Sequence, residues 1–302
     1  MQNNPTKGIL LMIAATAVFA VMDALSRHVA ARYNVIMVVM IRYWFFAAFV
    51  LLFAARRPGG IRAAATTVFP AQQALRGLLL AAEVCFTVTA FVLLGLIETH
   101  ALFASFPLMI AALSGPVLGE HVGWRRWVGI GIGFVGVLII LDPGAGMLSP
   151  GALIALTGAL MFASYGLLTR YVARADSTTT SLFWTATTGA IAMTFVGVFY
   201  WQPIAPADWG WVAALSIASL LGHWLLIQSY AAAEASVVQP FAFLQLVFIA
   251  MLGVTLFDEN LRSNVILGAA LVVGAGLFTL RRTRPPAQDG ASSTGTNFPT
   301  QG

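Results

Sequence analysis

Apolar positions along this chain come in long, almost unbroken runs. They lack the period-two alternation of a half-buried strand and the one-sided stripe of a surface helix. Ten runs approach the roughly 20 residues a helix needs to cross a hydrocarbon layer: 8–30, 35–54, 74–96, 99–118, 124–141, 151–170, 180–200, 209–231, 237–257 and 264–280. The breaks between them carry helix-stopping chemistry. Arg56, Arg57, Pro58, Gly59 and Gly60 cannot extend a helix in lipid, while Asp142-Pro143-Gly144 and Trp201-Gln202-Pro203 are turn signals. Trp124, Trp127, Trp201, Trp209 and Trp211 sit at run ends, where indole rings favour the headgroup zone. The pattern predicts an all-α integral membrane protein with ten transmembrane helices.

Composition agrees. Only 9% of the 302 residues are charged and 59% are hydrophobic, with a mean hydropathy of +0.87. A soluble domain carries about 25% charged residues, so most of this surface must meet the lipid bilayer. The net charge of +5 does not point to nucleic acid, because the basic residues are scattered between apolar runs. The single cysteine, Cys85, lies inside an apolar run and reads as an inert buried thiol. No intrachain disulfide is possible, no zinc or iron–sulfur spacing exists, and no cofactor is expected. Residues 1–7 form a short polar N-terminus, and the first run reads as a retained helix rather than a signal peptide. The tail from 283 to 302 is polar and expected to be disordered.

The basic residues orient the helices. With the N-terminus in the cytoplasm, Lys7, Arg56, Arg57, Arg62, Arg76, Arg125, Arg126, Arg170, Arg174, Arg281, Arg282 and Arg284 fall on the cytoplasmic side. Arg27, Arg32 and Arg262 fall outside, and Arg42 lies within a helix. That bias predicts an inner-membrane protein with both termini cytoplasmic.

The chain also repeats. Phe19-Ala20 with Arg27-His28-Val29-Ala30 parallels Phe162-Ala163 with Arg170-Tyr171-Val172-Ala173 at a constant offset of 143. Leu118-Gly119-Glu120 followed by Gly129 parallels Phe257-Asp258-Glu259 followed by Gly268 at an offset of 139. Residues 8–141 and 151–281 thus read as two copies of one five-helix unit. Five is odd, so the second copy enters the membrane from the opposite side. Inverted repeats are associated with secondary transport, because two related halves can present one midplane site to either side in turn.

These residues resemble a known family. Phe106-Pro107, Leu118-Gly119-Glu120, Gly129 and Gly136-Val137-Leu138-Ile139 are similar to the end of an EamA repeat of the drug/metabolite transporter superfamily. Phe257-Asp258-Glu259, Gly268 and Gly274 repeat the pattern, and Ile41-Arg42-Tyr43 resembles that family's Arg-aromatic pair. The second copy departs in having Leu246 where the first has Pro107, with Pro240 six residues earlier, so a break in the ninth helix is expected to be displaced. The resemblance implies ten helices, with the first four of each half around a central cavity and the fifth and tenth peripheral. Within the family the chain is most similar to YddG-type exporters of aromatic amino acids. It implies export or exchange of a small amphipathic metabolite, aromatic or bulky amino acids first, with protons as a possible second cargo.

Ionisable groups inside the runs are costly in lipid and are candidates for the site. Asp23 lies about 22 Å along the first helix, and Arg42 about 10 Å below the outer surface, at roughly 1.5 Å per residue. Two readings stay open. One is a mutual ion pair stapling the first two helices, with Arg27 also within reach of Asp23 at i+4. The other is an exposed pair that reads the ammonium and carboxylate of a zwitterion. Glu83 has no basic sequence neighbour except Arg76 and reads either as a proton carrier or as a hydrogen-bonded structural group, with Phe86, Thr87 and Ala90 on its stripe. His223, Trp224 and Gln228 in the eighth run, and Gln245 in the ninth, are expected to face inward. Phe103, Phe106, Tyr165 and Trp184 are candidate cavity aromatics, each otherwise ordinary packing. Glu120 and Glu259, near Arg125 and Arg262, read as structural or gating groups. The stripes Gly129, Gly131, Gly133, Gly136 and Gly268, Gly274, Gly276 read as close helix packing, not phosphate loops.

Two alternatives remain. A nucleotide-sugar or phosphate-ester exchanger would need several buried basic residues, and only Arg42 lies within a helix. A membrane-embedded enzyme would need a catalytic cluster, whereas His28, His100, His121 and His223 fall at different depths, mostly at helix ends. Oligomeric state is not legible.

Overall fold

The computed structural model describes residues 4–118, 124–141, 149–233, 238 and 241–280. Glu120, His121, the Asp142-Pro143-Gly144 turn, Pro240 and the tail lie outside the described residues. Every regular element among them is helical. The helices are α1 (Pro5–Ala30), α2 (Val35–Ala55), α3 (Gly60–Ala65), α4 (Pro70–Leu94), α5 (Leu96–Phe103) and α6 (Phe106–Leu118). They continue as α7 (Trp124–Leu141), α8 (Pro150–Val172), α9 (Thr178–Gly197), α10 (Trp209–Ala232), α11 (Leu244–Phe257) and α12 (Ser263–Leu280). Six segments are long and apolar enough to cross a membrane, and four shorter apolar segments accompany them. The chain is a multi-pass membrane protein.

Local chemistry sets the helix starts. Asn4, Asn34, Ser149 and Ser177 each cap an N-terminus by accepting a backbone N–H two or three residues on. Pro5, Pro70 and Pro150 occupy first-turn positions, where the missing N–H costs nothing. Inside the helices, hydroxyls are satisfied locally. Thr89, Thr157, Ser164, Thr194 and Thr255 each donate to the carbonyl four residues back, as a hydroxyl must where no water is available.

Packing relates the two halves. α1 packs on α10 as α4 packs on α8; α1 meets α11 as α8 meets α5 and α6; α2 touches α10 as α4 touches α9. Two pairs, α2 with α9 and α7 with α12, map onto themselves under the same exchange. In the last pair Gly136 and Gly268 face each other, and a Cβ on Gly268 would lie 2.5 Å from the Gly136 carbonyl oxygen. Gly131 and Gly274 face open space, so only part of each glycine stripe serves packing. Phe45, Phe49, Leu52, Phe195, Phe199 and Leu256 are exposed on the outer faces, where lipid is the matching solvent.

Three expectations change. The fourth run is two helices, because the chain turns at Ala104–Ser105 between α5 and α6. Its counterpart turn, at Phe243 ahead of α11, is not displaced despite Leu246 standing where Pro107 does. The two turns lie 139 residues apart, the offset of the sequence repeat, so backbone geometry rather than proline places them. Arg76, counted as a flanking charge, is fully buried in α4. It donates to Gln73 Oε1 and Thr169 Oγ1, both at 3.2 Å, and to the Ser181 carbonyl, bonds that hold α4 against α8 and α9.

Candidate functional site

A cavity opens between α1, α2, α4, α5, α6, α8, α10 and α11. Helical spacing delivers the lining. On α1, Met12, Thr16, Phe19 and Asp23 recur every three or four residues on one face; on α4, Glu83, Thr87 and Phe91 do the same. Arg42 comes from α2, His100 and Phe103 from α5, Phe106 from α6, Phe162 from α8, His223 from α10 and Gln245 from α11. Seven of the sequence candidates therefore meet: Asp23, Arg42, Glu83, Phe103, Phe106, His223 and Gln245.

The polar side divides into a closed cluster and an open one. In the closed cluster, His100 Nε2 lies 3.0 Å from Asp23 Oδ2, and Gln245 donates to the same oxygen at 3.0 Å. The other imidazole nitrogen, Nδ1, lies 3.0 Å from the Leu96 carbonyl, which can only accept. Nδ1 therefore carries a proton, and the Nε2–Oδ2 bond needs a second one. Whether that proton sits on the imidazole or on the carboxyl, the pair as a whole is neutral. Asp23 is thus paired with His100, not with Arg42 or Arg27.

The open cluster is Arg42 and Glu83, 4% and 5% exposed. Glu83 Oε1 accepts one hydrogen bond, from the Thr87 hydroxyl at 2.7 Å. The Arg42 guanidinium has no hydrogen-bond or ion-pair partner among the described residues. It is close enough to Glu83 and His223 for its charge to act on both. His223 places Nδ1 2.8 Å from the Ser219 carbonyl and its ring edge-on to Phe19 at 5.2 Å. Among the described residues, no group of three or more His, Cys, Asp or Glu could hold a metal ion.

The lining is also aromatic. Phe91 stacks on His100 at 5.1 Å, and Phe103 contacts Phe106 at 5.5 Å and Phe162 at 5.3 Å, with Phe106 and Phe162 edge-to-face at 5.0 Å. Sequence reading missed His100, which it placed at a helix end. The chain leaves α4 at Gly95 and re-enters a helix one residue later, which carries His100 inward. It also missed Phe91 and Phe162, apolar residues in apolar runs that carry no signal of their own.

Five candidates do not line the cavity. Trp224 is 41% exposed on the outer face of α10, and Gln228, one turn on, is half-buried. Trp184 donates its indole N–H to the Ala65 carbonyl at 3.1 Å, tying α9 to the end of α3. Tyr165 is buried behind Phe162 and below the Arg76 guanidinium. Phe86 packs toward Gly158 of α8.

Glu259 clasps the end of α11 to α1 and α5. Asp258 takes a left-handed conformation, φ 51°, that ends α11 and turns Glu259 back. Its carboxylate accepts the N–H groups of Leu96 and Ile97, both at 2.8 Å, and pairs with Arg27 of α1. It thereby fills the orphan donors and positive dipole end of α5. Arg262, its expected neighbour, instead pairs with Glu98 at 3.0 Å.

Known proteins agree with this architecture. The sequence pattern of the EamA-like transporter family matches residues 6–142 and again 149–281. A riboflavin transporter of Vibrio cholerae is 26% identical over 275 residues, covering 90% of this chain and 92% of that one. An S-adenosylmethionine uptake transporter of Rickettsia prowazekii is 25% identical over 276 residues, covering 90% and 92%. A riboflavin transporter of Rhizobium johnstonii is 30% identical over 237 residues, covering 74% and 76%. A crystal structure with 18% identity superposes with a TM-score of 0.67 over 92% of this chain and all of that one, and shares the fold. With one such pattern in each half and a cavity between the halves, the chain belongs to the EamA-like transporter family and is a membrane transporter of small molecules.

Proposed function

We propose that this chain is a secondary carrier for a small metabolite that joins a flat aromatic or heteroaromatic ring to a polar head. The observation that carries this reading is the mixed lining of one cavity: Phe91, Phe103, Phe106 and Phe162 together with buried Arg42 and Glu83. Each ring contact contributes about 0.5–1.5 kcal/mol beyond burial. The polar head meets groups that lipid would not tolerate on a helix surface. Riboflavin and S-adenosylmethionine, the substrates named for the relatives, both join a fused heteroaromatic ring to a polar chain. An aromatic amino acid is a smaller case of the same design. The uptake named for the Rickettsia relative replaces export as the direction adopted here.

The architecture proposed is two five-helix repeats, 8–141 and 151–281, inverted to give ten crossings with both termini in the cytoplasm. Supporting it, the helix packing maps onto itself when the halves exchange. Two loop clasps do the same. Tyr33, before α2, donates to Asp208, before α10, at 2.8 Å; Asp176, before α9, accepts from Thr67, before α4.

The test is uptake of tritiated riboflavin, S-adenosylmethionine and tryptophan into proteoliposomes holding the purified protein. Saturable uptake of at least one, absent from empty vesicles, is expected. Uptake of none would sink the substrate class. A reporter fused after Arg282 that reads as periplasmic would sink the topology.

A further inference from the structure

Buried Arg42 and the buried Glu83 carboxyl line one cavity without an ion pair or hydrogen bond between them. The cost of burying an ion is several kcal/mol unless a partner offsets it, so side chains that can reach each other normally do. Here Arg42 has no hydrogen-bond or ion-pair partner among the described residues, and Glu83 is met only by the Thr87 hydroxyl. Both are at least nine-tenths buried and both line the cavity. Asp23 and His100 bond to each other, and Gln245 donates to the shared oxygen, so neither bonds to Arg42 or Glu83. What remains, among the described residues, is one cation without a partner and one carboxyl group with a single hydroxyl donor, both lining the same cavity.

We propose that Arg42 and Glu83 are a split receptor for an α-amino carboxylate head: Arg42 donates to the carboxylate and Glu83 accepts from the ammonium, while the substrate's ring lies on Phe91, Phe103 and Phe162. This rests on the carrier reading above and narrows it. Bound between the two, a zwitterion satisfies both buried charges and leaves the cavity neutral. A head carrying only one charge satisfies one and strands the other. Discrimination therefore comes from the unmet partner, the strongest form of rejection available to a polar site. Among ring-bearing compounds, S-adenosylmethionine and tryptophan carry this head; riboflavin does not.

The test uses the full chain in proteoliposomes with matched pairs of probes. Tryptophan is set against tryptamine, which lacks the carboxylate, and indole-3-propionate, which lacks the ammonium. S-adenosylmethionine is set against 5′-methylthioadenosine, which keeps the ring system and lacks the head. Deleting either charge is expected to weaken uptake or competition at least tenfold. Arg42→Met should abolish the preference for tryptophan over tryptamine, with Arg42→Lys restoring part of it. Glu83→Gln should instead erode the preference for tryptophan over indole-3-propionate. Arg42→Lys and Glu83→Gln keep the proposal testable if Arg42→Met does not fold. Uptake of head-deleted probes equal to that of the zwitterions would overturn it, as would unchanged preferences in the folded variants. Transport of riboflavin alone would overturn this proposal and leave the carrier reading intact. Transport of no probe would overturn both.

Discussion

Gly95 offers a quantitative check on how Glu259 holds α11 against α5. It joins α4 to α5 with φ 88° and ψ 173°, a conformation open in practice only to glycine. Gly60, at φ 60°, also lies at positive φ, but a Cβ there would meet nothing within 4 Å. At Gly95 a Cβ would lie 2.6 Å from Glu259 Oε1 and 3.0 Å from Cδ, so the carboxylate must withdraw. Gly95→Ala therefore adds two costs. Backbone strain contributes about 1–3 kcal/mol. Loss of one N–H bond to the charged carboxylate contributes about 1.5–3 kcal/mol more. Gly60→Ala carries only the first kind, about 1–2 kcal/mol. At roughly 2 °C per kcal/mol for a chain of this size, Gly95→Ala should melt about 5–12 °C below the native chain and Gly60→Ala about 2–4 °C below. The assay is a thermal scan in detergent at a fixed rate, because unfolding of such a protein is commonly irreversible. Cys85, the single cysteine, lies half-buried with its thiol 3.8 Å from Met193 Sδ and can report unfolding through a thiol-reactive dye. Equal melting of the two variants would refute the close contact between Gly95 and Glu259, and with it this account of how α11 is held to α5.

Three further outcomes are expected. In a double-mutant cycle, Arg27→Ala and Glu259→Ala should each destabilise by about 3 kcal/mol, with a double variant well short of the sum, because each alone strands a largely buried charge; additive melting shifts would show that the pair does not interact. Gly268→Val should destabilise by about 1–3 kcal/mol through overpacking against the Gly136 and Ile140 backbone, whereas Gly274→Val, facing open space, should melt like the native chain in the same scan. Trp224→Ala should leave uptake rates within about twofold of the native carrier at matched expression, since the ring lies on the outer face of α10; a large loss would return Trp224 to the transport path.

The pattern of apolar runs determined the membrane class, the all-helical fold and most helix limits to within a few residues, because a lipid solvent leaves a chain few other ways to satisfy its backbone. The repeat offsets were equally legible, since matching residues must occupy matching places in both halves. Candidate charges could be found one by one, because a charge inside an apolar run is rare and costly wherever it sits. Their pairing could not. Asp23 had Arg27 and Arg42 as near neighbours in sequence, yet its partners come from α5 and α11, 77 and 222 residues away. Rotation about the helix axis was likewise invisible in runs apolar on every side. Trp224 and His223 are adjacent in sequence, and only packing against α1 decided that His223 faces inward and Trp224 out. Which face of such a helix is buried depends on which neighbour fills it, and that is a property of the assembled bundle rather than of any one segment.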